Sequence, residues 1–167
     1  MIAWTIFALV VAQRLVEAVY AERNARRLLA RGAREIGRSH YPLFIVLHIA
    51  WLAAIALYLY RSPDPRIHWW FIGIFALLQL ARISVIFSLG PYWTTRIITI
   101  PGLPLIRSGL YRFLRHPNYI IVIGEIAVLP LAFGQIGVAA IFSALNLLLI
   151  AYRVNQEDRA LGSRRIL

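Results

Sequence analysis

The chain has 167 residues, 60% of them hydrophobic, and a formal net charge of +11 carried by 18 arginines and no lysine against seven acids. That apolar share exceeds the roughly 45–50% of an ordinary soluble domain and excludes disorder. The absence of Cys excludes a disulfide framework, a thiolate metal site and a Cys nucleophile.

Length allows one domain, and the hydropathy makes it a small polytopic membrane protein of all-α class. A helix needs about 20 apolar residues to cross a hydrocarbon core of about 30 Å. Residues 2–20 form the first such stretch. They lack a basic leading region and a small-residue cleavage site and carry Arg14 and Glu17, which reads as a retained helix rather than a signal peptide. Arg23, Arg27, Arg31 and Arg34 or Arg38 follow near helical spacing, so the first helix is expected to run on with a basic face against anionic headgroups. Residues 42–60 and 69–89 are the second and third spans. The apolar block 119–152 is too long for one span and contains Pro130, Gly134 and Gly137, so it is read as a hairpin of 119–133 and 136–152. That makes about five transmembrane helices in a single domain, with a loop at 90–118 and a tail at 153–167. No repeat or low-complexity tract interrupts the chain.

Arginine placement orients these spans. Six lie in 21–40, four in 90–118 and four from 153 onward, against only Arg61 and Arg66 on the other side. The positive-inside rule then puts the amino terminus outside and the tail in the cytoplasm. Aromatic residues such as Tyr58, Tyr60, Trp69 and Trp70 sit at span ends as an interfacial belt, which leaves nothing resembling a nucleic-acid surface.

Four ionisable residues fall inside spans: Arg14, Glu17, Arg82 and Glu125. Such groups are costly in hydrocarbon and are candidates for function. Counted from their helix ends they share one shallow layer, with Arg153 at the same level, and a polar cavity opening to the cytoplasm is the expectation. Snorkelling of the arginines and a plain i,i+3 pair of Arg14 with Glu17 are the blander alternatives.

The loop before the fourth span is long, Gly/Pro-punctuated and rich in Arg and aromatics, and long ordered loops are commonly functional. It ends in Gly109-Leu110-Tyr111-Arg112-Phe113-Leu114-Arg115-His116-Pro117-Asn118-Tyr119. Pro117 suits a first helical position, and the unpaired N–H groups behind it make a small positive pocket. His116, Tyr111 and Tyr119 converging there can bind a polar ligand and pack an adenine face. Pro as a helix starter and Tyr as interfacial anchors would be the purely structural account.

The pattern G-x-Y-x-x-x-R-H-P-x-Y running into an apolar helix resembles the isoprenylcysteine carboxyl methyltransferase family. A second family element, an Arg followed four residues later by an acid pair and then Leu, is matched by Arg153, Glu157, Asp158 and Leu161. The resemblance covers about residues 90–162. It implies S-adenosyl-L-methionine as cofactor, with contacts from Tyr111, His116, Pro117, Asn118 and Tyr119, from Leu103, Leu105 and Ile106 through backbone, and from Glu157. Arg153 is similar to the family Arg that orients the substrate's reacting group. Asn146, Ile150, Arg153 and Glu157 share one helical face, so Arg153 and Glu157 stand one turn apart. Two departures stand out. Leu103 occupies a place where eukaryotic relatives tend to carry His. After the acid pair the chain reads Gly162-Ser163-Arg164-Arg165, where family members often carry further aromatics that close over the cofactor.

The implied reaction is O-methylation of a lipidic acceptor that enters from the bilayer, with no obligate protein partner. A carboxylate, with a pKa near about 4, needs no base and suits a bidentate Arg153. A phenol-type hydroxyl would profit from one, and Glu125 and His116 are the nearest candidates. Arg-only basicity with abundant Ala hints at a bacterial inner membrane. Phospholipid N-methylation, a membrane reductase and a lipid-binding subunit are the alternatives.

Overall fold

A computed structural model describes residues 1–62, 64–100 and 106–161, with Ala160 and Leu161 described through their backbone. Five helices follow one another: α1 (Ile2–Ala30), α2 (Tyr41–Arg61), α3 (Trp69–Leu89), α4 (Pro117–Ala132) and α5 (Ile136–Leu161). Four of them, α1, α2, α3 and α5, are long and apolar enough to cross a membrane, and α4 is a shorter apolar helix. The chain is an integral membrane protein.

The first helix does run on. Its 29 residues span about 44 Å, well beyond a core of about 30 Å. It ends where Gly32 turns left-handed (φ 84°), with Gly32 N–H bonded to the Leu29 carbonyl and Ala33 N–H to the Leu28 carbonyl. That paired closure satisfies two carbonyls the helix would otherwise leave open. The same closure separates α4 from α5 at Gly134 (φ 76°), where Gly134 N–H reaches Leu131 O and Gln135 N–H reaches Pro130 O. Of the three breakers expected in this block, Gly134 is the one that breaks it. Gly137 lies inside α5, and Pro130 lies inside α4. Pro130 has no N–H to offer the carbonyl of Ile126. The indole N–H of buried Trp51 on α2 donates to that carbonyl instead, at 3.2 Å.

The all-α class describes the bundle, and beside it two short strands that the sequence did not announce pair antiparallel: β1 (Arg34–Ile36) and β2 (Ile97–Thr99), in the register Arg34↔Thr99, Glu35↔Ile98, Ile36↔Ile97. The ribbon clips the loop after α1 to the loop after α3. The expected tail is also different. Residues 153–161 continue α5 without a break.

One apolar core joins Phe7 and Val10 of α1, Trp51 and Ile55 of α2, Phe75 of α3 and Leu129 of α4. A second, smaller one gathers Ala21, Val85, Trp93 and Ile121 near the ribbon. The end of α1, the start of α2, the end of α3, the start of α4 and the end of α5 meet at this second end. Asn24 donates to the Trp93 carbonyl, Tyr41 meets Thr95, and Tyr119 donates to Glu157. At the opposite end, His68 N–H binds the last carbonyl of α4, that of Ala132, at 2.8 Å. Arg61 and Arg66 belong to that opposite end; the arginine-rich segments belong to the first.

Candidate active site

Between the loop 106–119 and the last turns of α5 lies a cavity of about 730 Å³. Its position follows from local structure. Gly109–Arg112 forms one 3-10 turn that turns Tyr111 inward, His116 caps α4, and Pro117 takes the first helical position. Ile106, Tyr111, His116, Asn118, Tyr119, Arg153 and Glu157 all line the cavity. Pro117 lies fully buried behind this wall. Leu103 and Leu105 lie outside the described residues.

Tyr119 ties the two walls together. Its hydroxyl donates to Glu157 Oε2 and accepts from Arg153 Nε at 3.0 Å. The His116 ring stacks on the Tyr119 ring with centroids 5.4 Å apart, places Nε2 3.1 Å from Asp158 Oδ1, and leaves Nδ1 3.8 Å from Glu157 Oε2. Loop and helix are thus joined by side chains of opposite chemical character, an aromatic and imidazole pair against an Arg and two acids. The helical face expected from spacing is present: Asn146, Ile150 and Arg153 are buried along α5, and Glu157 follows at the cavity.

The cavity is polar in a specific way. Burial, with the Glu157 carboxylate nearby, pushes the Tyr111 phenol above its ordinary range, so it stays protonated and can donate. Asn118 Oδ1, Trp93 Nε1 and Arg96 Nε are buried with no hydrogen-bond partner among the described residues, and all three residues line the cavity. Unsatisfied buried polar atoms are rare and call for a missing partner. The cavity lining itself, with the Tyr111 hydroxyl, the Asn118 amide and the Glu157 carboxylate, fits a ligand that offers both donors and acceptors.

Trp93, Arg96, Tyr92 and Leu28 also line the cavity and were not picked out by sequence. Nor were Phe44 and Thr95, which hold Arg153 from behind. The guanidinium lies 5.0 Å from the Phe44 ring centroid, and its Nη2 donates to the Thr95 carbonyl at 2.6 Å. Only the Gly-Pro-Tyr-Trp beginning of the loop carried a usable signal, because Trp93 stands in a Gly/Pro turn rather than in a span.

Glu125 is placed elsewhere. It does not line the cavity, and the expected polar cavity across the bundle is instead a closed network. Arg82 binds Glu125 through Nε at 2.8 Å and through Nη2, Arg14 Nη2 reaches it at 2.8 Å, and Gln79 Nε2 at 2.7 Å. Glu17 completes the group, 2.7 Å from Arg14 Nη1 and 3.5 Å from Arg82 Nη1, with Gln13 bonded to both Glu17 and Gln79. Two Arg and two Glu balance, so the network is neutral. Snorkelling does not describe it, since Arg82 is buried and fully paired. Arg153 has no part in it.

A family model described as the isoprenylcysteine carboxyl methyltransferase (ICMT) family matches residues 71–163, a range holding all of these cavity residues except Leu28. The chain is 38% identical over 162 residues to the uncharacterized protein YpbQ of Bacillus subtilis (strain 168), covering 95% of each chain. It is 29% identical over 161 residues to an uncharacterized protein of Haemophilus influenzae, covering 93% of this chain and 92% of that one. No solved structure matches. On the family match and the shared length, this chain belongs to the isoprenylcysteine carboxyl methyltransferase family of integral membrane proteins.

Proposed function

We propose that the protein is an S-adenosyl-L-methionine-dependent O-methyltransferase acting on a lipidic acceptor at the cytoplasmic face of a bacterial inner membrane. One observation carries this reading: the loop 106–116, the first turn of α4 and the end of α5 border a cavity that Tyr111, His116, Asn118, Tyr119, Arg153 and Glu157 line together.

When bound, S-adenosyl-L-methionine supplies an activated methyl group. The chain's own residues then have three tasks. Tyr111, Asn118, His116 and Glu157 offer donors and acceptors for a nucleoside and an amino-acid head. Arg153 presents Nη1, which has no partner among the described residues, to the acceptor. Loop and helix together keep the reacting atoms aligned and away from water, which is most of what an in-line methyl transfer asks of a protein.

The acceptor best suited to this cavity is a carboxylate. Arg153 is positively charged and open on one edge, and a carboxylate is already ionised at neutral pH. A hydroxyl of a long-chain lipid would need a proton acceptor. Glu125 is spent in its network, Glu157 already accepts from Tyr119, and Tyr111 stays protonated. His116, held by Asp158, is the side chain left for that task.

Titration of the detergent-purified protein with S-adenosylhomocysteine tests the reading. Binding of S-adenosylhomocysteine without NADPH binding is expected, and labelled methyl donor should then mark a lipid in a membrane extract. NADPH binding alone would favour a membrane reductase, and no binding of either would favour a lipid-binding subunit. Within the active protein, Arg153→Ala should abolish transfer with modest loss of S-adenosylhomocysteine affinity. His116→Ala and Glu157→Ala should weaken that affinity itself.

A further inference from the structure

Arg153 is held at four points among the described residues. Its Nε donates to Tyr119 Oη at 3.0 Å and its Nη2 to the Thr95 carbonyl at 2.6 Å. Its guanidinium carbon lies 5.0 Å from the Phe44 ring centroid and 5.8 Å from that of Tyr119. The Thr95 carbonyl belongs to an irregular stretch with no helix to fix it, just before β2. Something else must hold it, and the Thr95 side chain shows what does. Thr95 Oγ1 is 2.8 Å from Tyr41 Oη, at the first turn of α2. The Tyr41 ring is covered in turn by Arg96, 5.3 Å away, and Arg96 is anchored to Glu22 at 2.7 Å and Glu35 at 3.4 Å.

We infer that Tyr41, acting through Thr95, is a positioning residue for Arg153: it fixes the carbonyl that sets the rotation of the guanidinium and so aims the free Nη1 edge into the cavity. This rests on the methyltransferase reading above for its catalytic consequence, though not for its geometry. Neither Tyr41 nor Thr95 lines the cavity, so neither touches an acceptor or cofactor directly. Tyr41 and Phe44 also precede the family-matched residues 71–163, so these two members of the clamp, unlike Thr95 and Tyr119, lie in a part of the chain that the family pattern does not describe. A guanidinium able to rotate would still carry its charge but would lose the planar two-point geometry that orients a carboxylate.

Two variants separate the clamp from mere packing. Tyr41→Phe keeps the ring under Arg96 and removes the hydroxyl, and Thr95→Val removes the partner hydroxyl at equal volume. Thr95→Ser restores it. The first readout needs no activity: hydrogen exchange of the Arg153 Nε–H in ¹⁵N-labelled protein, its signal assigned by loss in Arg153→Lys. Tyr41→Phe and Thr95→Val should speed that exchange at least about fivefold, as expected when a hydrogen bond of ordinary net strength is lost. Thr95→Ser should exchange like the wild type. The second readout is transfer: kcat/KM for the acceptor should fall about two- to tenfold in the first two variants, while KM for the methyl donor and S-adenosylhomocysteine affinity stay unchanged. Unchanged Nε–H exchange in Tyr41→Phe, or a Thr95→Ser protein that behaves like Thr95→Val, would overturn the clamp. A wild-type protein that binds no S-adenosylhomocysteine would overturn the methyltransferase reading instead, and the exchange result would still judge the clamp.

Discussion

Substituting Glu125 distinguishes a catalytic base from a structural ion pair. The carboxylate accepts from Arg82 twice, from Arg14 and from Gln79, and both Glu125 and Arg82 have side chains only 5% exposed. Glu125→Gln keeps the shape and removes the charge. The buried guanidinium of Arg82 and the half-buried one of Arg14 are then left with Glu17, which lies 2.7 Å from Arg14 and 3.5 Å from Arg82. Removing one partner of a buried ion pair costs about 3–5 kcal/mol, because the other charge remains desolvated and unpaired. At about 2–4 °C per kcal/mol for a chain of this size, the thermal midpoint in detergent should fall by roughly 6–20 °C.

Charge balance supplies the control. Glu125→Gln combined with Arg82→Met removes one acid and one base, and Arg14 with Glu17 remains as a neutral pair. Exchanging a buried pair for uncharged groups of similar volume is often close to neutral, so the double variant should recover most of the lost stability. Equal instability in the single and double variants would refute the reasoning, since it would show that the charge left behind is not the source of the cost. The double variant then gives a folded protein in which to ask about catalysis. It should still transfer methyl groups if Glu125 only joins α1, α3 and α4, and it should fail if Glu125 takes a proton.

Other substitutions probe separate links. Trp51→Phe leaves the Ile126 carbonyl without its donor and should cost about 1–3 kcal/mol of stability by thermal unfolding, with S-adenosylhomocysteine affinity unchanged. Gly134→Ala places a side chain at φ 76° and should cost about 1 kcal/mol or more by the same assay. His40 is buried beside Arg153, and burial followed by the Arg153 charge lowers its pKa. Below the unfolded value of about 6.5 the unfolded chain therefore binds more protons, and stability should fall with falling pH until the lowered folded pKa is passed. Thermal midpoints of the wild type and of His40→Phe between pH 7 and 5 should diverge in that direction, and parallel curves would contradict it.

Hydropathy located the helices well because apolar length is a local property. Trp69–Leu89 lies where the sequence placed it, and α1 extends along its arginine face as spacing suggested. The turn was legible, since the hairpin read as 119–133 and 136–152 breaks where Gly134 does, but that Pro130 and Gly137 stay inside helices was not. Pro130 stays helical, with Trp51, 75 residues away in sequence, supplying the missing donor. The ribbon escaped notice for a related reason. Strands of three residues are too short to show alternation, and β1 pairs with a segment some sixty residues later. Counting residues from helix ends put Arg153 in one layer with Arg14, Glu17, Arg82 and Glu125. Depth along a helix says nothing about which way a side chain faces, and the bundle sorts these charges into a neutral network and an open cavity. That His116 and Tyr119 would meet Glu157 was implied by the resemblance of two separated motifs to one family, and spacing along α5 alone gave only the shared face of Arg153 and Glu157. Tyr41 and Thr95 had no such signal: a Tyr at a helix start looks like an interfacial anchor, and a lone Thr in a loop looks like nothing at all.

The spacing of Arg153 and Glu157, one turn apart on α5, acquires its meaning from Tyr119. A phenol has one proton to give and lone pairs to receive, and Tyr119 uses both, giving to Glu157 and receiving from Arg153. The side chain proposed for the cofactor and the one proposed for the acceptor are therefore held through a single oxygen. Tyr119→Phe tests that arrangement. The ring still stacks on His116 and still faces the Arg153 guanidinium, so packing is largely kept. Two hydrogen bonds to charged groups are lost, each worth about 1.5–3 kcal/mol when buried. Glu157 and Arg153 would each move independently, and S-adenosylhomocysteine affinity and acceptor transfer should both fall, the combined effect on kcat/KM being on the order of a hundredfold or more. Arg153→Lys, by comparison, should spare the affinity while depressing transfer. A Tyr119→Phe protein that lost one function and kept the other would show that the cofactor and acceptor sides are set independently, and that the shared oxygen is incidental to the chemistry.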